Sequence, residues 1–283
     1  PGRDVAPKRH IFHRLRYAGG ELLQASELGT QVPEAVHSVL PLQVERDGQV
    51  KIANATVLRV YQDAEGRKAQ VATNAHVVAR ATRVSAWVGD YRVPVTVLRQ
   101  PDTELLLGML RRIDPGYWQL ASAHLQNESD SFPDLVIAEL LLPRGAEVSA
   151  VSLGQHVFDD QPVIQIGHSR HPRVPVAGDR GFWNNDRAYP RLMVSGALAA
   201  PRRLSSTPTQ IWEITLAGNS DWLRGGHSGG PVLAEHPGAA GLQLVGLVKG
   251  AALTYFDDLG SSVSSVTMVS VPAIRAHLAA TLF

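Results

Sequence analysis

From Val39 onward the chain is laid out in short runs in which apolar and polar residues alternate or β-branched residues cluster, each bounded by Asp, Gly, Asn or Pro. The runs are LPLQV at 40–44, ATVLRVY at 55–61, AQVAT at 69–73, RVSAWV at 83–88, YRVPVTVL at 91–98 and DLVIAELLL at 134–142. They continue with PVIQIG at 162–167, RLMVSGALA at 191–199, QIWEITL at 210–216, PVLAE at 231–235, LQLVGLV at 242–248 and SVTMVSV at 265–271. A period of two turns alternate side chains to opposite faces of a strand, so runs of this length between turn formers predict strands. Many short strands in succession point to an all-β chain built as antiparallel barrels or a sandwich.

Two stretches have another period. Residues 102–113 (DTELLLGMLRRI) can open with Asp102 as N-cap and close with Arg111 and Arg112, where cations suit the negative end of a helix dipole. The last stretch, 272–283, starts with Pro272 at a first helical position and carries Ile274, Leu278 and Leu282 in steps of four, an apolar stripe along one face. A short inserted helix and a C-terminal helix docked on the body are therefore expected. Residues 1–17 are basic, with Arg3, Lys8, Arg9, Arg14 and Arg16 against Asp4, and read as a solvated arm leading into the domain.

Composition narrows the function. The 283 residues, 44% hydrophobic and 19% charged, are a globular mix, enough for one large domain or two modest ones. Lys and Arg number 27 against 26 Asp and Glu, a net charge of +1 that gives no overall attraction to nucleic acid or anionic membrane. There is no cysteine, which excludes disulfides, thiolate metal sites and a cysteine nucleophile. Apolar stretches reach about ten residues, short of the roughly twenty that a spanning helix requires, so no membrane insertion is expected. The chain opens on Pro1 and its first 30 residues hold no apolar signal core, which fits a targeting segment removed or absent; bacterial cytoplasm and periplasm both remain open.

The segment richest in chemistry is Gly225-Gly226-His227-Ser228-Gly229-Gly230-Pro231. A nucleophilic serine must expose its Oγ beside backbone N–H groups aimed at the developing oxyanion, and flanking glycines permit that close approach. The same letters also suit an ordinary glycine-rich hairpin turn. Gly226-His227-Ser228-Gly229-Gly230 satisfies the G-x-S-x-G elbow of α/β-hydrolases, which a helix must follow. Here a short strand and the turn His236-Pro237-Gly238 follow instead. The opposite chain order, histidine before acid before serine, is offered upstream by His76 in Thr73-Asn74-Ala75-His76-Val77-Val78.

TNAHVV followed far downstream by GGHSGGPV resembles the trypsin-like serine peptidases, and most of all the bacterial HtrA (DegP) branch. The likeness runs over roughly residues 33–283: Asp134 and its apolar continuation resemble the acid-bearing strand, 153–168 the approach to the interdomain crossover, 193–199 the opening of the second barrel, and 244–250 the strand that pairs with substrate. It implies an all-β fold of two antiparallel β-barrels with the site in the cleft between them. The division implied is an arm at 1–32, an N-terminal barrel at 33–150 with a helical insertion near 100–130, and a C-terminal barrel at 151–283. It further implies a serine endopeptidase with His76 as general base, Asp134 as the orienting acid, Ser228 as nucleophile, and the N–H groups of Gly226 and Ser228 as oxyanion hole.

Asp134 stands 134 − 76 = 58 residues after His76, a long gap for this branch, and Glu104 in PDTELLLGML imitates an acid followed by apolar residues only 104 − 76 = 28 after it. The family-like continuation from Asp134 to Gly167 favours Asp134. Digestive trypsin-like enzymes carry an aspartate where His227 stands, so activation by pairing with a freed N-terminus does not apply; control by oligomerisation or a regulatory partner stays open. The peptide-binding PDZ module that this branch commonly appends is not expected here. The resemblance places Trp222, Leu223, Lys249, Gly250 and the neighbourhood of Ser264 around the specificity pocket. No carboxylate falls where trypsin selects Arg and Lys, which implies cleavage after small or medium apolar residues; Asp221 would reverse that if the loop shifted by one residue. A silent peptide-binding scaffold and an esterase using the same serine are the alternatives. Partners are protein or peptide substrates. Despite eleven histidines there is no HExxH, His168 and His171 lie in a Pro- and Arg-rich loop without a third ligand nearby, and neither a metal nor another cofactor is expected.

Overall fold

The computed structural model describes residues 34–89, 91–98, 100, 103–113, 134–155, 157, 161–169, 191–199, 211–216, 227–256 and 261–281, with backbone alone for 191–199, 211–216, 251–256 and 261–267. The predicted arm at 1–32, Asp102, and the part of the insertion at 114–133 lie outside these residues.

Two sheets carry the fold. The first is formed by β1 (Val39–Arg46), β2 (Gln49–Gln62), β3 (Arg67–Thr73), β4 (Arg83–Val88), β5 (Tyr91–Pro94), β6 (Thr96–Val97) and β7 (Val136–Leu141), in the order β5-β4-β1-β2-β3-β7-β6. β5 pairs with β4, while β6 pairs with β7 at the opposite edge. Only Val95 separates β5 from β6, so one bent segment closes the first sheet into a ring. The second sheet contains β8 (Ser152–Leu153), β9 (Pro162–Ser169), β10 (Arg191–Ala199), β11 (Ile211–Leu216), β12 (Pro231–Ala234), β13 (Gln243–Phe256) and β14 (Ser261–Ser270), in the order β12-β9-β10-β11-β14-β13-β8. β12 also pairs with β13, which closes six of its strands into a second ring with β8 appended in parallel. Closure removes the exposed edges that would invite aggregation.

Local chemistry explains the turns. Asp47 and Gly48 both have positive φ, 52° and 71°, the two-residue turn whose twist suits a tight hairpin between β1 and β2. β2 pairs first with β1 and then with β3, bending at a register shift between Val57 and Arg59. The period of two is visible in the core. Leu40, Leu42 and Val44 of β1, Ala53, Ala55 and Val57 of β2, Ala69 and Val71 of β3, and Ala138 and Leu140 of β7 fill the first ring. From the other face of β7, Ile137, preceded by Leu135, joins Ile164 and Ile166 of β9, Leu233 of β12 and Leu244 and Leu247 of β13 in a second core.

A 3-10 turn at Val36–Ser38 leads into β1, and three α-helices stand beside the sheets: α1 (Ala75–Val78), α2 (Thr103–Ile113) and α3 (Val271–Thr281). α2 lays Leu106 and Met109 on the second core, against α3. α3 begins at Val271, directly after β14 and one residue ahead of the predicted start. It is buried over more than the predicted stripe: Val271, Ala273, Ile274, Ala276, His277 and Ala280 are all inside, whereas Leu278 is half-buried. The alanines give α3 a thin profile, so β7, β13, β14 and α2 all reach it. Some strands extend beyond their predicted ends, β2 starting at Gln49 and β13 running on to Phe256; β7, β11 and β12 are shorter than predicted, the run at 91–98 divides at Val95 into β5 and β6, and β8 was not predicted. No helix among the described residues is long and apolar enough to cross a membrane.

Candidate active site

β3 and β7 are antiparallel neighbours with Thr73 opposite Val136, so the end of β3 lies beside the start of β7. His76 follows β3 in α1 and Asp134 precedes β7; the register brings the two together. Asp134 Oδ2 lies 2.6 Å from His76 Nδ1, and its Oδ1 accepts the His76 backbone N–H at 2.9 Å. One carboxylate thus fixes both the ring and the main chain of the histidine. Asn74 donates from Nδ2 to the Asp134 carbonyl at 2.9 Å, and Arg46 donates from Nη2 to the carbonyls of His76 and Val77 at 3.0 and 2.9 Å, tying down the short helix. The Asp134 side chain is 3% exposed and that of His76 46%, which leaves a buried anion behind a ring that reaches the surface. With Nδ1 facing a carboxylate, Nδ1 carries the proton of the neutral ring and Nε2 presents its lone pair.

His76 Nε2 points at Ser228 Oγ, 3.1 Å away. Ser228 stands three residues ahead of β12, in a turn anchored from both rings. Gly229 N–H donates to the Val248 carbonyl and Val248 N–H to the Gly230 carbonyl, both at 2.9 Å. From the first ring, Asn54 N–H donates to the Ser228 carbonyl at 2.8 Å and Thr56 Oγ1 to the Gly229 carbonyl at 2.9 Å. The two glycines after the serine have a physical cause. Gly229 has φ +81°, and a methyl group there would collide with the Asn54 carbonyl and Thr73 Oγ1; one at Gly230 would press on the Ile166 carbonyl of β9. Lys249 occupies the register shift between Val248 and Gly250 of β13, and its carbonyl lies 3.3 Å from Ser228 Oγ.

Behind the nucleophile is a polar cluster inside the protein. Asn54 Oδ1 accepts the His168 N–H at 2.6 Å and faces His168 Nδ1 at 3.1 Å, while Asn54 Nδ2 donates to the His168 carbonyl at 3.1 Å. Burial pushes the His168 imidazole down to about 3, with the neighbouring His227 adding to the shift. His277 in α3 is likewise pushed down by burial, to about 4; its Nε2 pairs with Gln100 Oε1 at 2.9 Å.

Of the residues singled out by sequence, the structure brings His76, Asp134 and Ser228 into one line and sets the carbonyl of the half-buried Lys249 beside Ser228, with Gly250 next along β13. Glu104 belongs to α2, which packs against α3, and Ser264 belongs to β14. Gly226, Trp222, Leu223 and Asp221 lie outside the described residues. Sequence reasoning missed Asn54, Arg46 and Asn74. Asn74 had a signal in TNAH, immediately before the histidine; Asn54 and Arg46 act on partners remote in sequence and had none. Among the described residues no group of three or more His, Asp or Glu is arranged to hold a metal ion.

No family model and no curated protein matches the sequence. Solved structures do resemble it. The active form of the Rv3671c protease from M. tuberculosis matches at 16% identity over 88% of this chain and 83% of its own, with a TM-score of 0.49. The MamO protease domain from Magnetospirillum magneticum matches at 17% identity over 88% and 98%, TM-score 0.46. The HtrA-type protease AlgW, solved with a tripeptide, matches at 16% identity over 87% of this chain and 60% of its own, TM-score 0.46. The described strands form two sheets of antiparallel neighbours, with β8 alone added in parallel, the all-β architecture expected from the sequence. At these identities and TM-scores the likeness assigns no role to any residue, and the geometry of the site stands on its own.

Proposed function

We propose that the protein is a serine endopeptidase that hydrolyses peptide bonds through an acyl-enzyme intermediate, with His76, Asp134 and Ser228 as its triad. The observation that carries this reading is the unbroken hydrogen-bonded line from the buried Asp134 carboxylate through both nitrogens of His76 to Ser228 Oγ, at 2.6 and 3.1 Å. His76 Nε2 accepts the Ser228 hydroxyl proton as Oγ attacks the carbonyl carbon, and then returns it to the leaving amine. Asp134 keeps the ring in the required tautomer and stabilises the imidazolium that forms. Water, activated by the same imidazole, releases the acyl group. Among the described residues no backbone carbonyl accepts from the Ser228 N–H; that N–H supplies one arm of the oxyanion hole and Gly226 N–H the other. The reaction uses no cofactor.

A fluorophosphonate probe tests the nucleophile: the parent protein is expected to be labelled at Ser228, and Ser228→Ala to give no label and no peptide cleavage. A silent scaffold would leave the parent unlabelled. An esterase would be labelled but would turn over ester and not peptide substrates.

Cleavage is proposed to follow small or medium apolar residues, with Trp222, Leu223, Lys249 and Gly250 around the pocket. An apolar side chain gains about 1–3 kcal/mol on burial there, and a charged one loses hydration without a partner. Mapping the cut sites in casein checks this. A predominance of Arg or Lys before the cuts would overturn it, and loss of that preference in Asp221→Asn would name the cause.

A further inference from the structure

Asn54 is fully buried in the middle of β2, a place where a polar side chain is costly unless every group finds a partner. Its amide pairs with His168 as a neighbouring strand would: Oδ1 takes the His168 N–H and Nδ2 gives to the His168 carbonyl. Oδ1 also faces His168 Nδ1, so the same oxygen orients the imidazole. A leucine of similar size would leave all three His168 groups unpaired inside the protein.

The main chain of the same residue reaches the nucleophile. Asn54 N–H holds the Ser228 carbonyl at 2.8 Å, and its own carbonyl accepts from Thr73 Oγ1 at 2.7 Å, on the strand that leads into His76. The third link is steric. A methyl group on Gly167 would sit 3.1 Å from His227 Cδ2 and 3.3 Å from Asn54 Nδ2, so the His227 ring and the Asn54 amide both lie against the bare backbone of Gly167. His227 is itself buried and immediately precedes Ser228. One residue of the first ring is therefore in touch with the histidine strand, with the nucleophile's carbonyl, and with the surface of β9 on which the preceding residue rests.

We propose that Asn54 is a positioning residue for the nucleophile: by clamping β9 at His168 and the turn at the Ser228 carbonyl, it holds the segment from His227 to Gly230 in the alignment that aims Ser228 Oγ at His76. The inference deepens the peptidase reading and rests on it for its catalytic meaning. Misplacement of a reacting group by about 1 Å costs on the order of 10²-fold in rate, so loosening this clamp is expected to act on kcat and leave KM nearly unchanged.

The test uses the full chain with Asn54→Leu, Asn54→Asp and Gly167→Ala, measured by the rate of fluorophosphonate labelling, by kcat and KM on a peptide, and by hydrogen exchange of residues 227–231 against the β4 segment as control. Asn54→Leu and Gly167→Ala are expected to label and turn over about 10²-fold more slowly with KM within about threefold, and to exchange faster at 227–231 but not in β4. Asn54→Asp keeps the acceptor for the His168 N–H and should recover at least about tenfold over Asn54→Leu. If Asn54→Leu does not fold, the other two variants decide. Parent-like exchange at 227–231 together with a parent-like labelling rate in Asn54→Leu, or in Gly167→Ala where Asn54→Leu does not fold, would overturn the proposal, as would exchange that rises equally in β4. An unlabelled parent whose 227–231 segment still responds to the variants would sink the peptidase reading and leave the positioning role standing.

Discussion

Alanine in place of Asp134 is expected to lower kcat on a peptide substrate by about 10³-fold or more, while Glu104→Ala stays within about tenfold of the parent. Removing the carboxylate takes away the acceptor for His76 Nδ1 and the acceptor for the His76 backbone N–H together. The ring is then free to put its proton on Nε2, where it can no longer take one from Ser228. Asp134→Asn separates charge from shape: an amide keeps the size but presents one acceptor where two are used, and on the same argument it should lose on the order of 10⁴ in kcat. Steady-state kinetics, with urea unfolding to show that each variant folds, make the measurement. Should Glu104→Ala prove inactive and Asp134→Ala active, the assignment of the acid is wrong.

Stability is expected to fall steeply in acid. In the unfolded chain a histidine takes its proton near pH 6.5, whereas burial holds His168 at about 3 and His277 at about 4 in the native protein. Between those values the unfolded state binds protons that the native state refuses, so stability is fully present above about 6.5 and declines as pH falls toward the native values. Each ring contributes a slope of up to about 1.4 kcal/mol per pH unit, and the two together remove on the order of 5 kcal/mol between pH 7 and 4. A domain holds only about 5–15 kcal/mol in total. The chemistry behind His277 is plain: Nε2 serves Gln100, and Nδ1 is buried with no acceptor among the described residues, so a proton there would be both charged and unpaired. Urea unfolding at unit steps of pH should give this slope, and His277→Gln should flatten it. An unaltered slope in that variant would mean that the ring takes its proton in the folded state.

What the sequence made legible was local. RVSAWV is a short run rich in strand formers that ends at Gly89, and β4 occupies 83–88 as predicted. The first half of β2 was not legible because its alternation changes phase where Ala53 follows Ile52; its place is set by the Asp47-Gly48 turn and by β1 alongside. β13 continues past its register shift into Gly250-Ala251-Ala252, weak strand formers held by β14. β8 is two residues long and exists only because β13 is beside it. The site divides in the same way. TNAHVV and GGHSGGPV mark two of the three aligned residues because a short segment carries each one's whole setting. Which acid reaches the histidine depends on Thr73 standing opposite Val136 across two strands, and no spacing rule contains that. Asn54 is less legible still: in sequence it is a lone polar residue in a strand, and its meaning lies in His168, 114 residues away.

The Thr56–Gly229 hydrogen bond joins positions 173 residues apart and, with Asn54–Ser228, ties the nucleophile's turn to the first ring. His76 and Asp134 both lie ahead of Ser228 in the chain, so synthesis supplies the imidazole and the carboxylate before the serine. Contacts this distant in sequence form late because their loop-closure entropy must be met first. On the proposed reading, the serine meets its histidine only once the second ring has closed on the first.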